Sequence, residues 1–392
     1  MVLVWTETTP WLTAALLAAL LLVLSVHFRF CFRALRPRRY TLEWIDFLDR
    51  PAPQFVSAYA PITRSDVFWM LFCAVAAAGL QVQVLRLEAG PGFLRHASTP
   101  DILYFALYYL VSPAACVAAF YCIARQLTTH ATVPLFATAL LTFDLSYDTQ
   151  VLPFLLLALA FFLRWWRVSQ TASFGRCTLE LLAATAYLAV GAYFAPSVLF
   201  YAAVLFVPLA FAAIWRAVHR AERGRIARTL AALLGYWLML ALWTVLTRIP
   251  GAMLAYSLHF WQVLLDVRFW QSLALWLVQS LRLVLLEAVP VYGIVETVLQ
   301  IYAAFCAAAC VYLAVRHGDL TAALLVWLYI AALIGWLFGL APAALGCLPV
   351  CALVWDRWLA RGTKRAPMLG IAALLAVRMA GSILLLLSLG TA

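Results

Sequence analysis

The sequence has very little charge. Only 11% of its 392 residues are Asp, Glu, Lys or Arg, whereas 67% are hydrophobic and the mean hydropathy is +0.98. A water-soluble chain of this length needs more charge to cover its surface, so a soluble globular protein is excluded. The apolar runs are continuous over about 20 residues, which favours helices over the shorter alternating strands of a membrane barrel. The sequence predicts an all-α, polytopic transmembrane helical bundle.

Lysine is almost absent. Lys364 is the only one, so arginine supplies nearly all of the net charge of +11. Most arginines lie in short segments between apolar runs, as the positive-inside rule predicts for cytoplasmic loops. The excess charge is therefore attributed to membrane topology, and no nucleic-acid partner is expected. The first apolar run has no basic residue before it and arginines after it, which predicts a true span rather than a cleaved signal peptide.

Arginine-rich and arginine-poor turns alternate along the chain, which predicts about twelve spans with both termini outside the cytoplasmic membrane. The predicted spans are 11–28, 67–85, 101–124, 131–143, a fifth that ends at 164–167, 177–194, 196–215, 226–246, 294–315, 320–340, 341–355 and 368–389. Aromatic and charged residues recur within 248–293. That stretch either crosses twice, giving fourteen spans, or lies at the outer interface, and the interfacial or re-entrant alternative is favoured.

Nine cysteines are present, and most lie within the apolar runs. The pairs Cys306/Cys310 and Cys347/Cys351 are each spaced i, i+4 on a predicted helix, but neither pair has a histidine or acidic companion. The sequence therefore predicts small buried hydrophobic side chains rather than metal ligands.

Two carboxylates mark the boundary between the fourth and fifth predicted spans. Asp144 and Asp148 lie at helix ends with apolar sequence on both sides. Because carboxylates are costly within hydrocarbon, a pair at a membrane boundary indicates a functional site. The fifth span ends in Arg-Trp-Trp-Arg at 164–167, which is typical of an interfacial aromatic and cationic cluster. We expect this boundary to form one wall of a site on the non-cytoplasmic side.

The same predicted face gathers further ionisable residues. They are Glu88, Asp101, Arg86, Arg95, His96, Arg248, Arg268 and Arg282. Carboxylates at a membrane edge can act as a general base or bind a divalent cation, and arginines can hold a phosphate in a forked, two-bond geometry. The alternative is that these are ordinary polar residues of loops. Since no motif demands a metal, no metal ligand is assigned and a divalent cation stays an open alternative.

Arg378 is unusual because it lies in the middle of the last predicted span. A lone guanidinium is costly there, so Arg378 should face the bundle interior and pair with a carboxylate or a substrate phosphate. Glu296, one turn inside its own span, is a candidate partner. The alternative is a purely structural ion pair.

Three stretches between residues 62 and 167 form a pattern of spans and turns. They are ITRSDVFWMLFCAVAAAGLQVQVLRLEAGP, SPAACVAAFYCIARQLTTHATVPLFATALLTFDLSYD and DTQVLPFLLLALAFFLRWWR. This pattern resembles the bacterial membrane glycosyltransferases of the C-type fold, close to the protein O-mannosyltransferase (family 39-like) group. The resemblance implies a single integral membrane domain over 1–392. Its expected parts are an extra N-terminal span and cytoplasmic segment at 1–66, a glycosyltransferase-like core at 67–247, the outer-face region 248–293 and C-terminal spans at 294–392.

The resemblance also implies a site and its ligands. The donor would be a polyprenyl-phosphate-linked sugar in the membrane lipid, and the acceptor a protein, lipid or glycan. By position, Glu88 or Asp101 corresponds to the acid of the first outer loop and Asp148 to the acid of the second. The implied catalytic set is Asp148, Asp144, Glu88 and Asp101, and the implied phosphate-binding set is Arg378, Arg86, Arg95, His96 and Arg248. The chain departs from the family pattern because its first loop lacks an adjacent Asp-Glu pair.

The expected function is therefore transfer of a sugar, of the hexosyl- or mannosyltransferase type, to an acceptor on the outer side of the cytoplasmic membrane. The missing Asp-Glu pair favours an alternative in which the protein is non-catalytic and binds a lipid-linked sugar or scaffolds a partner enzyme. A transporter is a third alternative, but neither an inverted repeat nor a matched pair of Gly/Pro-broken spans supports it.

Overall fold

The fold is seen in a computed structural model. It describes residues 7–8, 62–89, 98–144, 151–168, 174–195, 289–317, 319–337, 344–361 and 365–389, with isolated residues between 198 and 275. The regular structure in these residues is helical, apart from a two-residue antiparallel pairing of β1 (Glu7–Thr8) with β2 (Val289–Pro290). The predicted helical fold is confirmed for this part of the chain.

The described helices follow the predicted spans from 67–85 to 177–194 and from 294–315 to 368–389. The predictions for 11–28, 196–215, 226–246 and 248–293 lie outside the described residues, apart from isolated positions and 289–293. The helix bounds are α1 (Arg64–Ala89), α2 (Thr99–Phe105), α3 (Ser112–Leu127), α4 (Thr132–Thr142), α5 (Leu152–Val168), α6 (Phe174–Phe194), α7 (Val291–His317), α8 (Leu320–Leu337), α9 (Ala344–Arg361) and α10 (Arg365–Leu389). Proline helps to set several starts, because it lacks an N–H and fits the first helical turn. Pro100 and Pro153 are the second residues of their helices, and Pro134 and Pro367 are the third.

The third predicted span is one continuous apolar helix with a wide turn inside it. A π-helical segment, Ala106–Val111, joins α2 to α3, and the backbone N–H of Ser112 donates to the carbonyl of Leu107. Pro113 follows directly and has no N–H to continue the α-helical ladder. Because proline also clashes with the preceding turn of an α-helix, the wider π turn lets the helix pass through Pro113.

The helices pack side by side in alternating directions. The start of α1 meets the end of α3, where the Tyr121 hydroxyl donates to Asp66. The end of α9 meets the turn between α3 and α4, where Asp356 accepts from Thr129. We call this side of the bundle the Arg125 end. The opposite end of the bundle, where Asp144 lies two residues beyond the last residue of α4, is called the Asp144 end.

Among the residues that the structure describes, three helices are long and apolar enough to cross a membrane by length and composition. They lie at Arg64–Leu87, Thr99–Leu127 and Leu299–Arg316. Large apolar side chains project from α1 into the surroundings, with Phe68 60% exposed, Phe72 58% and Val75 71%. Such a surface suits hydrocarbon rather than water. In contrast, the 11 residues of α4 extend only about 16 Å, well short of a bilayer core of about 30 Å.

Two sequence predictions differ from the structure. The indoles of Trp165 and Trp166 are not an interfacial cluster: they are 1% and 5% exposed and lie beside the Phe162 ring in the core. They are buried because this face of α5 packs on α3 and α9. In addition, α9 continues to Arg361 rather than ending at Trp355, so the turn that was expected from Asp356 begins only after Arg361.

The predicted burial of the two cysteine pairs is confirmed. Cys306, Cys310, Cys347 and Cys351 are all buried thiols without a disulfide. They lie on α7 and α9, which pack against each other and against α8.

A close helix contact passes through Gly346 of α9. A Cβ atom built there would lie 2.6 Å from Ala332 Cβ and 2.9 Å from Tyr329 Cα, both in α8. We predict that Gly346→Ala lowers the stability of the bundle by about 1–3 kcal/mol, because the two backbones must separate. Thermal melting of the purified protein in lipid nanodiscs measures the effect.

Gly79→Ala is the matched control, since nothing lies within 4 Å of a Cβ at Gly79 in α1. It is expected to leave stability unchanged or to raise it by about 0.5–1 kcal/mol, as alanine is the better helix former. Equal melting curves for the two variants would contradict the close α8–α9 contact.

Candidate functional site

The Asp144 end contains a buried ion pair. Arg378 Nη2 lies 2.6 Å from Asp144 Oδ1, and the two side chains are 1% and 13% exposed. Arg378 comes from the middle of α10, whereas Asp144 follows the last residues of α4. Because α4 is short, its end stops level with the middle of α10, and the carboxylate reaches the guanidinium there. The predicted pairing of Arg378 with a carboxylate is found here, with Asp144 as the partner. The side chain of Glu296 lies outside the described residues.

A second contact fixes the same helix end. The hydroxyl of Ser382, one turn beyond Arg378, donates to the carbonyl of Phe143. That carbonyl belongs to the last turn of α4, where intrahelical partners run out. The helix α1 also packs against α4. The helix α4 is therefore held by α10 on one side and by α1 on another.

The pair is electrostatically balanced. A guanidinium that is 1% exposed needs a counter-ion, since burying a lone charge is costly. The Asp144 carboxylate provides one, and a charge-assisted contact of this length is among the stronger hydrogen bonds in proteins. Chemically, the arrangement offers a dehydrated cation with a fixed orientation. Its natural ligands are carboxylates and phosphates, which match the forked guanidinium.

The other predicted site residues have varied positions. Arg86 is exposed in the last turns of α1, and Glu88 lies in the same helix with its side chain outside the described residues. Asp101 is exposed, and its carboxylate accepts from the N–H and hydroxyl of Ser98, so it caps α2. Asp148, Arg95, His96, Arg248 and Arg282 lie outside the described residues. Arg268 is exposed at a helical position, where its N–H donates to Asp266.

The Arg125 end carries a different set of buried acids that the sequence did not single out. Asp356 of α9 is 1% exposed and accepts from the N–H groups of Thr129 and His130, from the Thr129 hydroxyl and from His130 Nδ1. This one carboxylate holds the turn between α3 and α4 against α9. Next to it, Arg357 Nη2 lies 3.0 Å from Asp319 Oδ2, and Asp319 also caps the start of α8.

A second buried acid, Asp66, joins α1 to α3. It is 3% exposed, accepts from the N–H and hydroxyl of Thr63 and from the Tyr121 hydroxyl, and lies 3.4 Å from Arg125 Nε. The Thr63-Arg64-Ser65-Asp66 sequence predicts a helix start, and the structure confirms it with a capping box. The tertiary role of Asp66 was missed. The available signal was that Asp66 and Arg125 fall at the same end of adjacent predicted spans.

No cation site is assembled from the residues that the structure describes: no three His, Cys, Asp or Glu side chains among them are grouped so as to hold a metal ion. The divalent cation therefore stays a prediction. Comparisons of the chain with protein-family models, curated proteins and solved structures found no match. The resemblance to C-type glycosyltransferases is likewise still a prediction, and the ion pair is the feature on which a function can be argued.

The ion pair yields a stability prediction. Arg378→Met leaves the Asp144 carboxylate without its ionic partner, and we expect a loss of about 3 kcal/mol, as for other broken buried pairs. The double variant Arg378→Met/Asp144→Leu removes both charges and should recover most of that loss. Denaturant unfolding in mild detergent measures all three proteins.

The exposed Arg316 at the end of α7 provides the control. Arg316→Met should stay within about 0.5 kcal/mol of wild type, as expected for a surface position. If the double variant were no more stable than Arg378→Met, the Arg378–Asp144 contact would not be the source of the loss.

Proposed function

We propose that the chain is a multipass protein of the cytoplasmic membrane with about twelve spans and both termini outside. The alternating helix directions support this topology. Arginines gather at the Arg125 end, where they begin or finish several helices: Arg64, Arg125, Arg164, Arg316, Arg357, Arg361 and Arg365. By the positive-inside rule this end faces the cytoplasm, and the Asp144 end faces outward.

We further propose that the protein transfers a sugar from a polyprenyl phosphate to an acceptor at the outer side, in the manner of the C-type glycosyltransferases that it resembles. The observation that carries the proposal is the buried Arg378 guanidinium at the Asp144 end. Buried cations in membrane helices are rare, and when they occur they mark substrate or ion sites. The phosphate of a lipid-linked sugar is a suitable ligand, because its isoprenoid tail would remain in the bilayer.

The proposed reaction is an inverting displacement at the anomeric carbon. A carboxylate accepts the proton of the acceptor hydroxyl, the acceptor oxygen bonds to the anomeric carbon, and the carbon–oxygen bond to the phosphate breaks. The leaving phosphate keeps the bonding electrons, and Arg378 stabilises the charge that develops on it. Arg86, Arg95, His96 and Arg248 are further candidates for contacts to the phosphate.

Asp148 is our first choice for the base. Asp144 is less suited, because one of its oxygens is already bound by Arg378. Asp148 follows four residues later in the sequence and carries the family correspondence, with Glu88 and Asp101 as the other candidates. Of these, Asp101 already caps α2 through Ser98.

A non-catalytic protein that binds a lipid-linked sugar or supports a partner enzyme is the second candidate function. The specific observation in its favour is the same ion pair: a cation whose charge is balanced by a carboxylate can serve binding or structure without chemistry. The absence of an adjacent Asp-Glu pair from the first loop points the same way.

Sugar transfer by the purified protein in lipid nanodiscs distinguishes the two. A panel of polyprenyl-phosphate sugars is offered with membrane acceptors. We expect Asp148→Asn to lower the rate by about 10²–10⁴-fold, the usual effect of removing a general base. Arg378→Ala should lower it by about 10²–10³-fold, and Arg378→Lys, which keeps the charge, should retain part of it.

Arg316→Ala, at the opposite end, is the control and should transfer at the wild-type rate. Each variant is compared only after its melting curve shows a folded protein. Saturable binding of the lipid phosphate without transfer from any donor would favour the binding or scaffold function. If the protein neither transfers sugar nor binds the lipid phosphate, the proposal is refuted.

A further inference from the structure

The two members of the ion pair differ in accessibility. Asp144 is 13% exposed and Arg378 only 1%, so the carboxylate is the partner nearer to the surroundings. A ligand approaching the guanidinium therefore competes with the carboxylate for the same N–H donors. Carboxylate and phosphate oxygens bind a guanidinium in the same forked manner, which makes them direct competitors.

We propose that Asp144 is a built-in competitor of the donor phosphate. Its carboxylate holds Arg378 when no donor is bound and is displaced when the phosphate of a polyprenyl phosphate binds. This inference rests on the proposed function, because it assigns the regulation of the same site. Displacement is expected because two anions on one buried cation repel each other. One-for-one exchange with the singly charged phosphodiester of a polyprenyl-phosphate sugar keeps the site neutral.

The local structure allows this exchange to be a movement of one side chain. The backbone at the end of α4 is held independently of the ion pair: the Asp144 N–H donates to the Leu141 carbonyl, and Ser382 donates to the Phe143 carbonyl. The backbone at the end of α4 can therefore stay in place when the Asp144 carboxylate leaves Arg378. Arg378 stays in place on α10, already dehydrated and oriented for an anion.

Affinity for a polyprenyl phosphate without a sugar tests the proposal. Binding is measured with the protein in lipid nanodiscs, and the variant is Asp144→Asn, which keeps the shape of the side chain and removes its charge. We expect Asp144→Asn to bind about tenfold or more tightly, since the competing state is no longer populated. Asp144→Glu keeps a competing carboxylate and should not bind more tightly than wild type.

The Arg125 end provides a matched control. Arg164 Nη2 lies 2.7 Å from Glu180 Oε1, and the Glu180 side chain is 6% exposed, so the pair has the same chemistry and a similarly buried acid. Glu180→Gln replaces a carboxylate by an amide, as Asp144→Asn does at the other end of the bundle. The affinity of Glu180→Gln for the polyprenyl phosphate should equal that of wild type. An equal rise in both variants would attribute the effect to net charge and overturn the proposal.

A measurement on the wild-type protein requires no variant. The Asp144 carboxylate can be labelled with an excess of a carbodiimide and an amine, and the modified residue quantified by mass spectrometry. Saturating polyprenyl phosphate should increase labelling of Asp144 severalfold and leave Glu180 unchanged. Constant labelling of Asp144 at saturation would overturn the displacement.

The outcomes separate this inference from the function on which it rests. If wild type binds and transfers but Asp144→Asn binds no more tightly, the competitor role is wrong and the transferase stands. If Asp144→Asn loses transfer at unchanged affinity, Asp144 acts as the base instead. If wild type neither binds the phosphate nor transfers sugar, both proposals are wrong.

Discussion

The need to neutralise charge inside an apolar bundle governs this structure. Arg378 lies in the middle of a long apolar helix, and its guanidinium is tolerated there because Asp144 meets it at 2.6 Å. That meeting depends on the length of α4, whose 11 residues end halfway along α10. A longer α4 would carry its terminal carboxylate past the guanidinium. The burial of Arg378 therefore depends on the short length of α4, and the Ser382 hydroxyl helps to hold the end of that helix in place.

The two ends of the bundle use buried acids in different ways. At the Arg125 end, Asp66 and Asp356 each accept several hydrogen bonds and join neighbouring helices, so their oxygens are occupied by the protein itself. Acids used in this way stabilise helix ends and turns, and few of their oxygen lone pairs remain available to bind a ligand. At the Asp144 end, the described ionic contact joins two charged side chains, one of which, Arg378, is a cation buried in the middle of an apolar helix. This difference explains why we place the function there.

Hydropathy predicted much of the fold, because the helix bounds follow the apolar runs. It also singled out Asp144 and Arg378, since each is a charge within apolar sequence. It did not predict that they pair with each other, because packing between distant helices leaves no local signal. The roles of Asp66 and Asp356 were missed because charged residues at predicted helix ends resemble solvated loop residues. Trp165 and Trp166 were misassigned because an aromatic pair beside arginines is equally compatible with an interface and with a buried helix face.

Burial of Arg378 has a consequence for any ligand that it binds. A guanidinium that is already dehydrated loses no further water when an anion arrives, so the free energy of binding depends mainly on what the anion replaces. In the exchange that we propose, the anion replaces the Asp144 carboxylate, which lies 2.6 Å from Arg378. The site is then selective for ligands that match a carboxylate in geometry and exceed it in charge or in membrane attachment. A phosphate on an isoprenoid meets both conditions, which is why we propose a lipid-linked substrate rather than a soluble one.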